Sequence, residues 1–242
     1  MTQTSPFCAA EFRASEARAG WFAEHVLQQV RADAPLRVLD IGCGTGGHLF
    51  ALASRMPLAM FDGVDVSSAN IRQAQISRAA SRSADRISFF CRDYLEHHAG
   101  AYDLVLSDSA LHLIDGDTGS LLRKIAGEMA PHALLIATMP DCSLYNRALW
   151  GARKFLAVLR GRWLDEIALA VALRIYRGRY EESLLRQRIP YLYLLPRRCE
   201  GRALRAAADA AGLEWQKSLP APHDSVMQPV HVISTYRRAA TR

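Results

Sequence analysis

The chain has 242 residues, 50% of them hydrophobic and 22% charged, with a net charge of +6. That is enough apolar surface for a sizeable core in one large domain carrying an elaborated insert. No apolar stretch reaches the ~18 residues of a membrane span, and the first residues lack the basic start and apolar block of a secretory leader, so neither is expected.

Residues 7–32 read as a helix, with Trp21, Phe22, Val26 and Val30 at helical spacing. Asp33, Ala34 and Pro35 stop it. LRVLDI is a buried-strand pattern and GTGGHLFALASRM a helix. FDGVDVS is a short strand ending at an acid, and SANIRQAQISRAASRS a polar helix. RISFFCRD and YDLVLSDS are strands, SLLRKIAGEMA a helix and ALLIATMP a strand. Such alternation implies a mostly parallel sheet with helices on both faces.

After Pro140 the rhythm changes. Residues 143–189 carry no strand signal, and two helix-like stretches, NRALWGARKFLAVLRG and WLDEIALAVALRIYRG, each close on a glycine. Alternation resumes with GRALRAAADAAG as a helix, then LEWQKSLP and VHVISTYRR as strands. APHDSVMQP between them is too short for a helical crossover, so they pair antiparallel. The expected organisation is a helical cap over 1–34, an α/β core over 35–140, a helical insert or lid over 141–198, and a closing helix and strand pair over 199–242.

Five scattered cysteines with no C-x-x-C spacing indicate neither a zinc site nor a disulfide framework. No metal is expected, and a reducing, cytoplasmic setting fits. Between Arg147 and Arg205 there are fourteen Lys or Arg against five Asp or Glu, so the basic excess belongs to that one segment. It is either a solvated helical surface or a face for an anionic partner.

The stretch VLDIGCGTGGHL, residues 38–49, puts bare backbone beside an acid. Glycines at a strand-to-helix turn let main-chain N–H groups approach a ligand with no Cβ in the way. Gly42, Gly44 and Gly47 parse as the dinucleotide fingerprint. Asp40, Gly42, Gly44 and Gly46 parse as D-x-G-x-G-x-G. Asp65 ends the second strand, Asp93 follows the third, and Ser107 and Asp108 end the fourth.

With those motifs, VLDIGCGTGG, GVDVS, FFCRDYLE and YDLVLSDSALHLI, the chain resembles the class I S-adenosylmethionine-dependent methyltransferases over residues 35–140 and in the terminal strand pair. The resemblance implies a doubly wound α/β fold: a seven-stranded mixed sheet of order 3-2-1-4-5-7-6, the last strand antiparallel. A helical lid is inserted after strand five. The resemblance also implies S-adenosylmethionine as cofactor. Asp65 and Val66 would then lie at the ribose, where a carboxylate offers two acceptor oxygens, and the competing reading of Asp65 is a helix N-cap. Asp93 and the Tyr94 N–H would lie at the adenine, or Asp93 caps a loop. Asp40 would orient the loop, Gly42 and Gly44 would floor the methionine part with Gly46 also at the cofactor, and Ser107 or Asp108 would face the methyl group or the methionine tail. An NAD oxidoreductase fits less well, because the chain shows no second catalytic domain and its terminal pair is antiparallel.

A neutral hydroxyl acceptor benefits from a general base. His112, just past strand four, is the first candidate and His223 the second; the bland reading of His112 is packing. Strand four ends SDSA rather than in an N-P-P-Y-type motif, which argues against nucleic-acid acceptors. The expected activity is methyl transfer to a hydroxyl of a small molecule or glycan, anionic or lipid-linked. Amine methylation and a non-catalytic cofactor-binding module stand as alternatives. In NRALWGARKFLAVLRG, apolar and basic residues interleave, which allows peripheral contact with the inner membrane face. A helix packed over the sheet with snorkelling arginines would read the same way.

Overall fold

A computed structural model describes residues 14–178, 181–223 and 228–240, with the side chains of Leu184 and Gln187 excepted. Helix α1 (Glu16–Leu27) starts at Ser15, whose hydroxyl accepts the Arg18 N–H, and closes at Gln28, earlier than its apolar spacing implies. Residues 7–13 of that predicted helix lie outside the described residues.

Seven strands follow: β1 (Arg37–Ile41), β2 (Met60–Asp65), β3 (Ile87–Cys91), β4 (Tyr102–Asp108), β5 (Met129–Pro140), β6 (Leu213–Pro220) and β7 (His231–Arg238). They form one sheet in the order β3-β2-β1-β4-β5-β7-β6. The first five run parallel, and β7 pairs antiparallel with both β5 and β6. This is the expected topology. The crossovers are α2 (Gly47–Ala53), α3 (Ser68–Ala79) and α4 (Thr118–Glu128), with α8 (Arg202–Ala210) leading into β6. Strand β5 begins at Met129, earlier than ALLIATMP implies, because α4 stops at Glu128 and the pairing with β4 shifts register between Tyr102 and Leu104.

Side chains alternate across the central strands, so each face acquires its own core. Val38, Leu104, Leu106, Leu134 and Ile136 join Phe22 and Val26 of α1, Leu49 and Leu52 of α2 and Ile71 of α3. Leu39, Ile41, Val105, Leu135 and Ala137 join Leu121 and Ile125 of α4 and Leu204 of α8. Runs buried on both faces are what two helical layers over a parallel sheet require.

The segment between β5 and α8 is helical: α5 (Leu144–Val158), α6 (Arg162–Ile175), α7 (Glu182–Arg188) and a 3₁₀ turn over Ile189–Tyr193. Its root is pinned by Asn146, which is fully buried. The Asn146 amide donates to the Asp141 and Val230 carbonyls, at 3.0 and 2.8 Å, and accepts the Val230 N–H. Its far end is pinned by Arg198, whose guanidinium donates to the carbonyls of Leu111, Ile114 and Gly116. Asp141 and Glu200 form a bridge between the two ends. Beside it Cys142 and Cys199, 57 residues apart in sequence, bring their Sγ atoms to 3.0 Å, a proximity that sequence spacing gave no sign of.

Gly63, in β2, shows how tightly the first core is filled. A Cβ there would lie 2.8 Å from the Phe89 ring, 2.9 Å from Cys43 Sγ and 3.0 Å from Leu49 Cδ1. Gly63→Ala is therefore expected to cost about 1–3 kcal/mol through overpacking, read as a lower urea midpoint at unchanged slope; an unchanged midpoint would show that these neighbours yield freely.

Candidate functional site

Parallel strands end together, so β1, β2, β3 and β4 deliver their C-terminal residues to one edge of the sheet. A cavity of about 810 Å³ opens there. Its wall includes Gly42, Cys43 and Gly44 from the loop after β1, Asp65 and Val66 after β2, and Asp93 and Tyr94 after β3. Asp108, Ser109 and Ala110 follow from β4. Arg18 of α1 and His48 of α2 close one side, and Leu194 to Arg197, at the end of the insert, close another. The volume suits a cofactor with a small second substrate.

The glycine loop is bent as its sequence requires. Gly42 has φ +74° and Gly44 φ +55°, backbone regions that side-chain-bearing residues rarely enter. A Cβ on Gly42 would collide with Ala110 across the cavity wall. Asp65 holds the loop in place. Its Oδ2 accepts the Gly44 N–H at 2.9 Å, and its Oδ1 accepts the Ser67 N–H at 2.8 Å and the Asn70 side-chain amide at 3.2 Å. Three of a carboxylate's roughly four acceptor sites are thus engaged, so Asp65 orients the loop as much as it offers an acceptor to a ligand. The cap of α3 is Ser67, whose hydroxyl accepts the Asn70 N–H. Asp93 does cap the turn after β3: its Oδ1 accepts the Leu95 N–H at 2.9 Å. The Tyr94 phenol turns to Glu128, donating at 2.8 Å, which leaves its backbone as the part that can meet a ligand.

Asp40 lies beneath the loop and is 1% exposed. Its Oδ2 has no hydrogen-bond partner among the described residues. Burial raises its pKa to about 7; nearby His48 opposes the shift, and the charges of Asp108 and Asp65 add to it. Asp108 goes the other way. Burial would raise it, but hydrogen bonds from Arg18 and the proximity of His48 outweigh that and hold it well below the usual carboxylate range. The Arg18 fork donates from Nε to Oδ2 at 2.9 Å and from Nη2 to Oδ1 at 2.6 Å. His48 Nε2 stands 3.2 Å from Asp108 Oδ2, in ion-pair range but off hydrogen-bonding alignment. Burial disfavours its charged form, yet Asp108 and Asp40 together carry its pKa above the ordinary value.

Other predicted site residues are not gathered in. Ser107 is fully buried and donates to the Ile41 carbonyl at 2.8 Å, because strand alternation turns it inward and sends Asp108 to the cavity. Gly46 lies behind the wall, where a Cβ would strike the Phe89 ring; its bare backbone serves packing at the start of α2. His112 does not line the cavity either. It is buried edge-on against His231, ring centroids 5.6 Å apart. Burial chiefly, with His231 and Arg198 adding to it, drives its pKa down to about 3, so it is neutral and poorly basic. His223 is exposed in the loop before β7, its Nε2 2.9 Å from the Gln228 carbonyl, and does not line the cavity.

Arg18, His48, Ser109 and the 194–197 segment were not anticipated. His48 directly follows the glycine loop, a position that could have drawn notice. Arg18 is a single basic residue on an amphipathic helix, and nothing local marks it. Ser109 holds φ +61°, a left-handed conformation uncommon for serine. Its N–H donates to Thr138 Oγ1 at 2.9 Å.

Asp40 supplies a pH test. Its folded pKa lies above the usual value of 3.8, so between about pH 4 and pH 7 the folded protein retains a proton that the unfolded chain has released. Its contribution to stability therefore falls as pH rises through that window. The urea midpoint of Asp40→Asn relative to the unsubstituted chain is expected to climb from pH 5 to about pH 7 and level off above it, without cofactor. A pH-independent difference would show that Asp40 ionises normally.

Residues 38–132 match the methyltransferase domain family. A trans-aconitate 2-methyltransferase of Pseudomonas aeruginosa is 32% identical over 128 residues, covering 51% of this chain and 44% of that protein. The chain spans about half the length of the curated relatives it matches. Among solved structures, the magnesium protoporphyrin IX methyltransferase of Synechocystis PCC 6803 with bound SAH superposes at TM-score 0.59 and 15% identity, over 95% of this chain and 90% of that one. A mitomycin 7-O-methyltransferase superposes at 0.57 and 20%, over 92% and 54%. At such identities the likeness is one of fold. The sheet order, the glycine loop, the carboxylates at the ends of β1, β2 and β3, and the matched domain together support a class I S-adenosylmethionine-dependent methyltransferase.

Proposed function

We propose that the chain transfers a methyl group from S-adenosylmethionine to an oxygen of a small, carboxylate-bearing acceptor. The residues fit that cofactor. An unmet buried carboxylate oxygen on Asp40 lies under a loop whose Gly42 tolerates no Cβ, with the acids Asp65 and Asp93 along the rim. Gly42, Gly44, Asp65, Val66, Asp93 and Tyr94 would hold it, with Asp40 behind them. When bound, the cofactor supplies a methyl carbon made electrophilic by its sulfonium.

The observation that carries the choice of acceptor is the placement of the bases. His112, the candidate for deprotonating a hydroxyl, lies outside the cavity and is held neutral. Asp108, which does face the cavity, is engaged by Arg18 and held ionised. The one histidine in the cavity wall among the described residues, His48, has its Nε2 buried against Asp108 and its charged form favoured by Asp108 and Asp40, so a hydroxyl acceptor meets no exposed neutral base there. A carboxylate is already anionic at neutral pH and needs no base. The wall also offers a cation: Arg197 is exposed and, among the described residues, ion-paired only with the exposed Asp115, a partner readily exchanged. A relative named for trans-aconitate, a carboxylate, points the same way. The chain's work is then positioning, holding the acceptor oxygen within ~3–3.5 Å of the methyl carbon and in line.

Panels of di- and tricarboxylic acids, hydroxyl compounds and amines, each with S-adenosylmethionine, would test the proposal by S-adenosylhomocysteine release and product mass. Esters from the acids are expected; turnover confined to hydroxyl compounds or amines would overturn the acceptor class. Cofactor binding with no turnover on any panel would indicate a binding module. Arg197→Gln is expected to raise the acceptor KM about 10–100-fold, the loss of one charge-assisted hydrogen bond, with cofactor affinity unchanged. His112→Ala is expected to leave kcat within about threefold, where a general base would cost ~10²–10⁴-fold.

A further inference from the structure

Helices α5 and α6 turn large apolar side chains outward. Phe155 is 65% exposed, Val158 80%, Trp163 60%, Ile167 52% and Val171 48%. Trp163, Ile167 and Val171 recur every fourth residue, which makes one stripe along α6. Phe155, Val158 and Trp163 flank the corner at Gly161 between the two helices. Residues 143–178 hold seven Arg or Lys and two acids, Asp165 and Glu166. Both acids are engaged inside the insert: Asp165 accepts the Tyr193 hydroxyl at 2.7 Å, and Glu166 accepts Arg186 at 2.5 Å. Lys154, Arg162 and Arg174 remain exposed beside the apolar residues.

We propose that this face docks on a membrane surface containing anionic lipid. Apolar side chains with basic flanks match the acyl boundary and negative headgroups of such a surface. A second copy of the chain would instead bring two cationic margins together. The proposal rests on the surface alone and is independent of the acceptor assignment.

Sedimentation of the cofactor-free chain with phosphatidylcholine vesicles, and with phosphatidylcholine–phosphatidylglycerol vesicles, tests it without any turnover. At least tenfold stronger binding to the anionic vesicles is expected, weakening as salt rises from about 50 to about 500 mM. The double variant Phe155→Asp, Trp163→Asp should lose at least tenfold in binding while keeping its thermal midpoint. Equal affinity for both vesicles, or none for either, overturns the proposal. So does concentration-dependent dimerisation that the double variant abolishes, which would give the face to a second copy.

The neck of the insert carries an independent feature. Cys142 and Cys199 are free thiols with Sγ atoms 3.0 Å apart, Cys142 exposed and Cys199 half-buried, beside the Asp141–Glu200 bridge. We infer that this pair is a peroxide-sensitive modification site. Cys142 sulfur attacks the peroxide O–O bond, giving a sulfenic acid and water. Cys199 sulfur then displaces the sulfenic oxygen, forming the S–S bond and a second water, so two thiols and one peroxide give one disulfide and two waters. Intact-mass and peptide mapping of the peroxide-treated full chain tests it. A loss of about 2 Da, a linked Cys142–Cys199 peptide and full reversal by a dithiol are expected, with no loss in Cys142→Ser. Oxygen addition without a link, or a link to Cys8, Cys43 or Cys91, overturns the inference.

Discussion

The Asp108 carboxylate stands at the end of β4 with both oxygens in the fork of Arg18, a residue 90 positions earlier on α1. The rest of the cavity depends on this pairing. Strand ends in a parallel sheet converge, and here they bring Asp40, Asp65 and Asp108 into mutual influence. Buried like charges cannot all stay ionised without compensation. The Arg18 guanidinium supplies it, together with His48, whose charged form Asp108 and Asp40 favour. Arg18, with His48 beside it, keeps Asp108 ionised, and Asp40, deeper and lacking a hydrogen bond to one oxygen, absorbs the remaining imbalance by holding its proton to near neutrality. The first core cluster, built on Phe22 and Val26, fixes α1 against the sheet, and that packing delivers Arg18.

The same geometry divides the labour of the site. Asp65 anchors the glycine loop, Asp93 anchors the turn after β3, and Thr138 of β5 anchors the left-handed Ser109. Each polar side chain thus orders a piece of backbone first and faces the cavity second. Preorganisation of this kind suits a reaction in which alignment is the main demand.

Topology was legible because it follows from periodicity and from connection length. Apolar runs of strand length alternated with helical stretches, and the nine residues of APHDSVMQP left room for nothing but an antiparallel pair. The rim was legible at Asp65 and Asp93, whose positions at strand ends are a matter of local sequence. What escaped depends on long-range placement. Ser107 and Asp108 are neighbours, and only strand alternation in the folded sheet decides which one faces the cavity. His112 carried the right chemistry at the right strand end, but its orientation is set by His231 on β7. Arg18 and Cys199 find their partners 90 and 57 residues away, a range at which spacing carries no information.

Arg198 links two otherwise separate parts of the chain. Its guanidinium is threaded among three carbonyls of the loop that leaves β4, while its backbone ends the insert. One residue earlier Arg197 stands in the cavity wall, and its N–H donates to the His112 carbonyl at 2.9 Å. Between Asn146 and Arg198 the insert is tied at both ends, and only its last residues, Leu194 to Arg197, reach the cavity wall. Tension applied anywhere along α5 to α7 is borne at two knots, and one of them lies next to the cation assigned to the acceptor.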